Sequence, residues 1–306
     1  MDQAANLRNI IKRRNNIPTN NQNHEKPSNQ AKKKARVITV TSGKGGVGKS
    51  NTAINLSLAL TDLGKKVVVI DADFGLANVE ILLGIKPKYN LSDILYNDKS
   101  IHEVITYGPN NIGFISGGSG VFKLMNLQKD QILKLTQNLN ELDNIADIII
   151  IDTGAGVNDS VVEFIMNSSD VFLVVTPEPT SITDAYALLK VLDNTPYFSS
   201  NNTSINIIAN SVNGEEDGLD IYRKLSGVAS RFLSLNVNYL GMVPFDENVR
   251  KAVIKQVPYY LEYPACRASL GIKKIAKKVD NIHEEEANNV KGIVGMIYQF
   301  FKNKLA

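Results

Sequence analysis

Cysteine is almost missing from this sequence: Cys266 is the single one in 306 residues. It permits no internal disulfide, and no cysteine–histidine constellation with metal-binding spacing accompanies it, so a reduced cytoplasmic compartment is the expectation. Long apolar runs are lacking as well, and nothing approaches the roughly 18 residues that a membrane-spanning helix needs. The N-terminus is polar and asparagine-rich, without the apolar core of a secretion signal. Net charge is only +3, too small by itself to argue for a nucleic-acid partner, which is therefore not expected. Internal repeats are also absent. What the chain does have is 43% hydrophobic residues, enough for the core of one large α/β domain plus tails.

Three zones follow from composition. Residues 1–36 are rich in asparagine and basic side chains and read as a mobile arm. Residues 37–282 alternate short β-branched apolar runs with helical stretches. The runs Val37–Thr41, Val67–Asp71, Ile112–Ile115, Ile148–Asp152, Val171–Thr176, Ile205–Ala209 and Tyr239–Val243 are candidate strands. Runs apolar on both faces and separated by helices predict a mostly parallel sheet covered on both sides. The third zone, residues 283–306, opens on the acidic link His283-Glu284-Glu285-Glu286.

The strongest motif is Gly43-Lys44-Gly45-Gly46-Val47-Gly48-Lys49-Ser50, with an apolar β-branched run before it and an amphipathic run after it. This is the strand, phosphate loop and helix of a nucleotide site. Glycines let the backbone wrap a triphosphate and aim its N–H groups at the oxygens, backed by the positive end of the helix. Lys49 supplies charge to the β- and γ-phosphates, and the Ser50 hydroxyl suits Mg²⁺, which keeps most of its waters. Asn51 continues the loop into the helix.

Two acidic strand ends complete the set. Asp152 closes Ile148–Ile151 and precedes Thr153-Gly154-Ala155-Gly156, a flexible stretch suited to sensing a γ-phosphate. A carboxylate at the carboxyl end of a buried strand is placed to hold Mg²⁺ through water. Asp71-Ala72-Asp73 ends another strand. Ser50, Asp73 and Asp152 form the candidate metal set. The late strand Ile205–Ala209 leads into Asn210-Ser211-Val212-Asn213, which has neither the lysine nor the aspartate of guanine recognition, so adenine is the expected base.

Lys44, directly after the first loop glycine, resembles the signature lysine of the MinD/ParA group of phosphate-loop ATPases. The resemblance implies an ATP-sandwiched homodimer in which Lys44 reaches the partner's phosphates in trans, as an arginine finger does. It further implies that Asp73 orients the attacking water, that Asn210 contacts the base, and that Pro244-Phe245-Asp246 lies across it. The stretches Asp71–Val79, Asp152–Gly156 and Thr176–Ala187 are similar to the flagellar-number regulators FlhG (also called FleN or YlxH) within that group, over about residues 36–260.

Both ends add to the resemblance. Asp2-Gln3-Ala4-Ala5-Asn6-Leu7-Arg8 is similar to the element by which FlhG proteins stimulate the signal-recognition-type GTPase FlhF. Ala4, Leu7 and Ile11 have helical spacing, but the helix is too short to persist alone. At the other end Ile293, Met296, Ile297, Phe300 and Phe301 share one helical face flanked by lysines. This suits either an interfacial helix on an anionic membrane or a helix docked on the protein's own core.

The reading is an ATP- and Mg²⁺-dependent switch, cycling between cytoplasm and membrane, with FlhF and flagellar C-ring components as partners. Three rivals stay open. These are a division or partition ATPase, an iron–sulfur carrier, which Cys266 alone cannot support, and a non-catalytic nucleotide-gated scaffold.

Overall fold

A computed structural model describes residues 34–73, 78–117, 129–196, 198, 203–285 and 293. Asp2, Gln3, Ala4, Leu7, Arg8, Met296, Ile297, Phe300 and Phe301 lie outside these described residues.

The strands are β1 (Arg36–Thr41), β2 (Val67–Ala72), β3 (Thr106–Tyr107), β4 (Gly113–Ile115), β5 (Ile148–Thr153), β6 (Asp170–Val175), β7 (Ser204–Val212) and β8 (Val237–Pro244). They form one sheet in the order β3-β4-β2-β5-β1-β6-β7-β8. Every pairing is parallel except β3 with β4. β1, β2, β5 and β6 are buried at every residue. Unbroken β-branched runs such as Ile148–Ile151 have no polar face to offer water, and the centre of a parallel sheet is where such runs fit. All seven expected strands are present; β3, two residues long, carries no pattern that marks it in advance.

The helices are α1 (Lys49–Thr61), α2 (Asn78–Leu83), α3 (Leu91–Tyr96), α4 (Ile101–Val104), α5 (Lys129–Asn140), α6 (Leu142–Ile145), α7 (Asp159–Asn167), α8 (Pro179–Asn194), α9 (Glu215–Phe232), α10 (Glu247–Lys255), α11 (Tyr259–Glu262) and α12 (Arg267–Glu285). One face of the sheet is packed by α1 and α12 through Ile54, Leu58, Ile272 and Ile275. The opposite face carries two clusters, one around α3 and α5 and one around α7, α8 and α9.

Both zone boundaries shift. Arg36, counted with the arm by composition, is the first residue of β1 and is buried, its guanidinium bonded twice to Asp170 at 2.8 Å. The acidic link begins inside a helix, because α12 runs unbroken through Glu285. No glycine or proline interrupts Ile272–Glu285, and glutamate is a good helix former, so nothing ends the helix at 282. Ile293, expected on a membrane-facing stripe, is fully buried in the cluster of Val68, Ile70, Leu135 and Ile149. In this conformation the docked alternative holds for that side chain: burying a large aliphatic group against the sheet removes it from water without any lipid.

Candidate functional site

In a parallel sheet all strands end on the same edge, and here the ends of β1, β2, β5, β6 and β7 bring the predicted site residues together. The loop Ser42–Gly48 leaves β1 and enters α1 at Gly48, which has φ 89° and gives no side-chain cap. The first-turn N–H groups of α1 thus remain available to an anion, with the helix dipole behind them. Gly48 is required twice over. Its φ is left-handed, and a Cβ there would stand 2.4 Å from the Asn210 amide nitrogen. Gly43 is equally constrained, since its Cβ would meet the Asp184 backbone of α8 at 2.3 Å.

Lys49 and Asp152 make a buried ion pair of 2.7 Å. Burial pushes the Asp152 carboxyl up, and the Lys49 charge opposes that. Its second oxygen, also buried, has no hydrogen-bond partner. That orphaned oxygen, with the Ser50 hydroxyl 3.5 Å from Lys49 Nζ, is the donor pair that fits Mg²⁺. Among the described residues no three acidic, histidine or cysteine side chains form a metal cage. An ion that retains most of its waters asks for few protein ligands, so the set fits.

Asp71 lies near the end of β2, two residues before Asp73. Its Oδ1 accepts the Asp73 N–H at 3.1 Å and its Oδ2 the Val79 N–H at 3.3 Å, so one carboxyl spans both ends of the Asp73–Val79 segment. Burial, with Asp152 alongside, pushes Asp71 up to about 7. Asp73 itself is half-buried and accepts from Asn78 Nδ2 at 3.0 Å. It lies beside the loop after β5: a Cβ on Gly154 would be 3.7 Å from its Oδ1.

Asn210 donates from Nδ2 to the Val47 carbonyl at 2.7 Å, which ties the end of β7 to the phosphate loop. A cavity of about 190 Å³ opens beside it, lined by Gly48, Asn51, Asn210, Pro244, Phe245 and Asp246 among others. The structure thus joins the segments assigned to the base, 210 and 244–246, at one recess next to the loop. Asp246 caps α10 through the Asn248 N–H and accepts the Arg267 N–H, which fixes the recess wall.

Lys44 is bound outside the loop's own backbone. Its Nζ donates to Glu178 Oε2 at 2.7 Å and to Thr180 Oγ1 at 2.8 Å, both on the segment after β6. Glu178 and Thr180 were not singled out by sequence as partners of the loop. The signal was the position of Pro-Glu-Pro-Thr at a strand end, on the same sheet edge as the loop. Cys266 packs half-buried against the core with Sγ 3.3 Å from Ser269 Oγ.

Comparison with known proteins identifies the family. A family model headed ParA and described as NUBPL iron-transfer P-loop NTPase matches residues 33–280. The chain belongs to the ParA/MinD family of P-loop NTPases. It is 42% identical to the antiactivator FleN of Pseudomonas aeruginosa over 80% of this chain and 86% of that one. It is 36% identical to the flagellum site-determining protein YlxH of Helicobacter pylori, over 68% and 69%. The family fold is seen in MinD of Pyrococcus horikoshii complexed with Mg-ADP, with a TM-score of 0.64 at 23% identity over 83% of this chain and 99% of that one. A ParA-family ATPase of Chlorobium tepidum gives 0.65 at 20% identity, over 80% and 98%. In this ParA/MinD chain, no helix among the described residues is long and apolar enough to cross a membrane.

Proposed function

We propose that this protein is an ATP-hydrolysing dimerisation switch that regulates the number or placement of flagella. The observation that carries the reading is Lys44: it lies in the phosphate loop, about one-third exposed, with its ammonium held by Glu178 and Thr180. A lysine so placed would exchange its Glu178 and Thr180 contacts to serve a second copy's nucleotide. The similarity to FleN and YlxH supports the flagellar assignment.

ATP is the substrate. The loop N–H groups and Lys49 grip its phosphates, with Lys49 exchanging its Asp152 contact for phosphate oxygens. The recess beside Asn210 takes the base. Ser50 and Asp152 would hold Mg²⁺, which would supply neutralisation of phosphate charge. Asp73 orients water for in-line attack, and Lys44 from the partner copy stabilises charge building on the leaving oxygens. Dimerisation pairs the C-terminal helices for an anionic membrane surface, and hydrolysis returns monomers. The N-terminal Asp2–Arg8 element stimulates FlhF, and C-ring components are further partners.

ATP turnover and light scattering with and without ATP test the switch, and FlhF GTP hydrolysis with a peptide of residues 1–20 tests the flagellar assignment. We expect ATP-dependent dimers and a stimulated FlhF. Turnover without dimers removes the switch; an inert peptide removes the FlhF role.

A further inference from the structure

We propose that the outer edge of β8 is a docking groove for an extended peptide in which acidic and apolar residues alternate. Among the described residues β8 ends the sheet and hydrogen-bonds to β7 on one side only. α9 covers one of its faces and α12 the other, since Tyr239 and Met242 pack with the α9 cluster while Leu240 and Val243 pack with the α12 cluster. A cleft of about 410 Å³ takes residues from both helices, Glu215 from α9 and Leu270 and Ile275 from α12, and so runs along the open strand edge. That volume is within the range of roughly 300–1,000 Å³ that ligand clefts occupy.

The chemistry of the walls selects the guest. An open strand edge offers main-chain donors and acceptors, which an extended chain satisfies by strand addition. The Leu240 carbonyl points out of the sheet and already takes a donor, Lys278 Nζ at 2.9 Å. The floor is apolar, formed by Leu240, Met242, Ile275 and the half-exposed Leu270, and receives every second side chain of such a peptide. Among the described residues the rim holds three cations, Arg267, Lys274 and Lys278, against the single carboxylate of Glu215. That imbalance favours acidic residues at the remaining positions.

Edge protection accounts for only part of this arrangement. A lysine on the edge and a bulge, where Leu240 is skipped between the pairs Ile207–Tyr239 and Ile208–Gly241, both discourage self-pairing. Protection needs neither a recessed apolar floor nor Arg267 and Lys274. A lipid surface matches the cations but has no use for a cleft. Pro244 lines both the groove and the base recess, but none of the loop residues Gly43–Ser50 lines the groove, so the inference does not depend on ATP turnover.

The test is selection of displayed ten-residue peptides on the full-length protein, with Lys274→Glu/Lys278→Glu as the counter-selection. Alternating Val, Ile or Leu with Asp or Glu should be enriched. A labelled representative, followed by fluorescence anisotropy, should bind roughly tenfold or more weakly to the charge-reversed protein. Binding should also fall with salt and vanish when alternate peptide amides are N-methylated, which removes strand addition without changing side chains. Leu270→Glu should repel the same peptide while labelled-ATP affinity and thermal midpoint stay unchanged, so that unfolding is excluded. The proposal is overturned by any one of four outcomes: no peptide separates the two proteins, the enriched peptides are lysine-rich, N-methylated peptides bind equally, or the same lysines retain phosphatidylglycerol vesicles and no peptide.

Discussion

Lys44, Asp73 and Asp71 divide the chemistry at the scale of single residues. Lys44→Ala leaves the loop backbone and Lys49 in place, so nucleotide should bind while dimerisation and turnover are lost. By analogy with charges supplied in trans, the rate falls about 10³-fold or more; ATP-dependent dimers of normal size in light scattering would refute the trans role. Asp73→Ala should abolish hydrolysis yet retain Mg·ATP, with an ATP-locked dimer as the product. Normal phosphate release by that variant assigns the water to another group. Asp71 makes a pH prediction. Its carboxyl is pushed from 3.8 up to about 7, so between these values the folded chain binds a proton that the unfolded chain has released. Stability contributed by the protonated form is complete below about pH 4 and is lost as pH rises through 7. Urea midpoints of the metal-free protein should therefore fall between pH 5 and 8, and Asp71→Asn should flatten that fall. An unchanged slope in the variant places the titration elsewhere.

At the scale of elements, Arg36 is the joint between β1, β6 and α12. Its guanidinium pairs twice with Asp170 and donates from Nη1 to the Val279 carbonyl at 2.8 Å, with both side chains under a tenth exposed. Arg36→Leu strands a buried carboxylate and should cost about 3–5 kcal/mol. The double change Arg36→Leu/Asp170→Leu removes both charges and should recover much of that loss. Chemical denaturation of the three proteins checks this, and equal destabilisation by single and double variants means that packing, not the unpaired charge, sets the cost. Close approach is the other theme at this scale. Gly43 admits α8 to the loop, and Gly271 admits α12 to β8, where a Cβ would lie 2.8 Å from the Met242 carbonyl oxygen.

At the scale of the whole molecule, the proposed switch would have to link the nucleotide edge to the tail after Ile293, a residue buried in the core in this conformation. Burial of large apolar side chains is worth on the order of 1.5–3 kcal/mol each. Partial insertion and helix ordering would take back much of this, so a single tail should bind lipid only weakly. Lys291, Lys302 and Lys304 each add about 1 kcal/mol near an anionic surface. Two tails joined in an ATP dimer should therefore hold vesicles far better than one. We expect vesicle co-sedimentation that requires ATP, falls with salt, and disappears in Phe300→Asp/Phe301→Asp. If that variant stays with vesicles but melts at a lower temperature, the helix belongs to the core.

Sequence alone determined what local chemistry dictates. Ile148–Ile151 has no polar face, so it had to be a doubly covered strand, and the glycines around Lys49 admit little besides a phosphate loop between strand and helix. The carboxylates at strand ends, Asp73 and Asp152, were legible because parallel strands share one functional edge. Tertiary structure decided what depends on contacts between distant segments. Lys44 meets Glu178 across 134 positions, and Asn210 meets Val47 across 163. Asp71 lies next to Asp152 only because β2 pairs with β5. The order of strands in space, β2-β5-β1-β6-β7, differs from their order in the chain. Periodicity fixes which face of an element is apolar, but neighbours are set by crossovers, and only the assembled sheet reveals them.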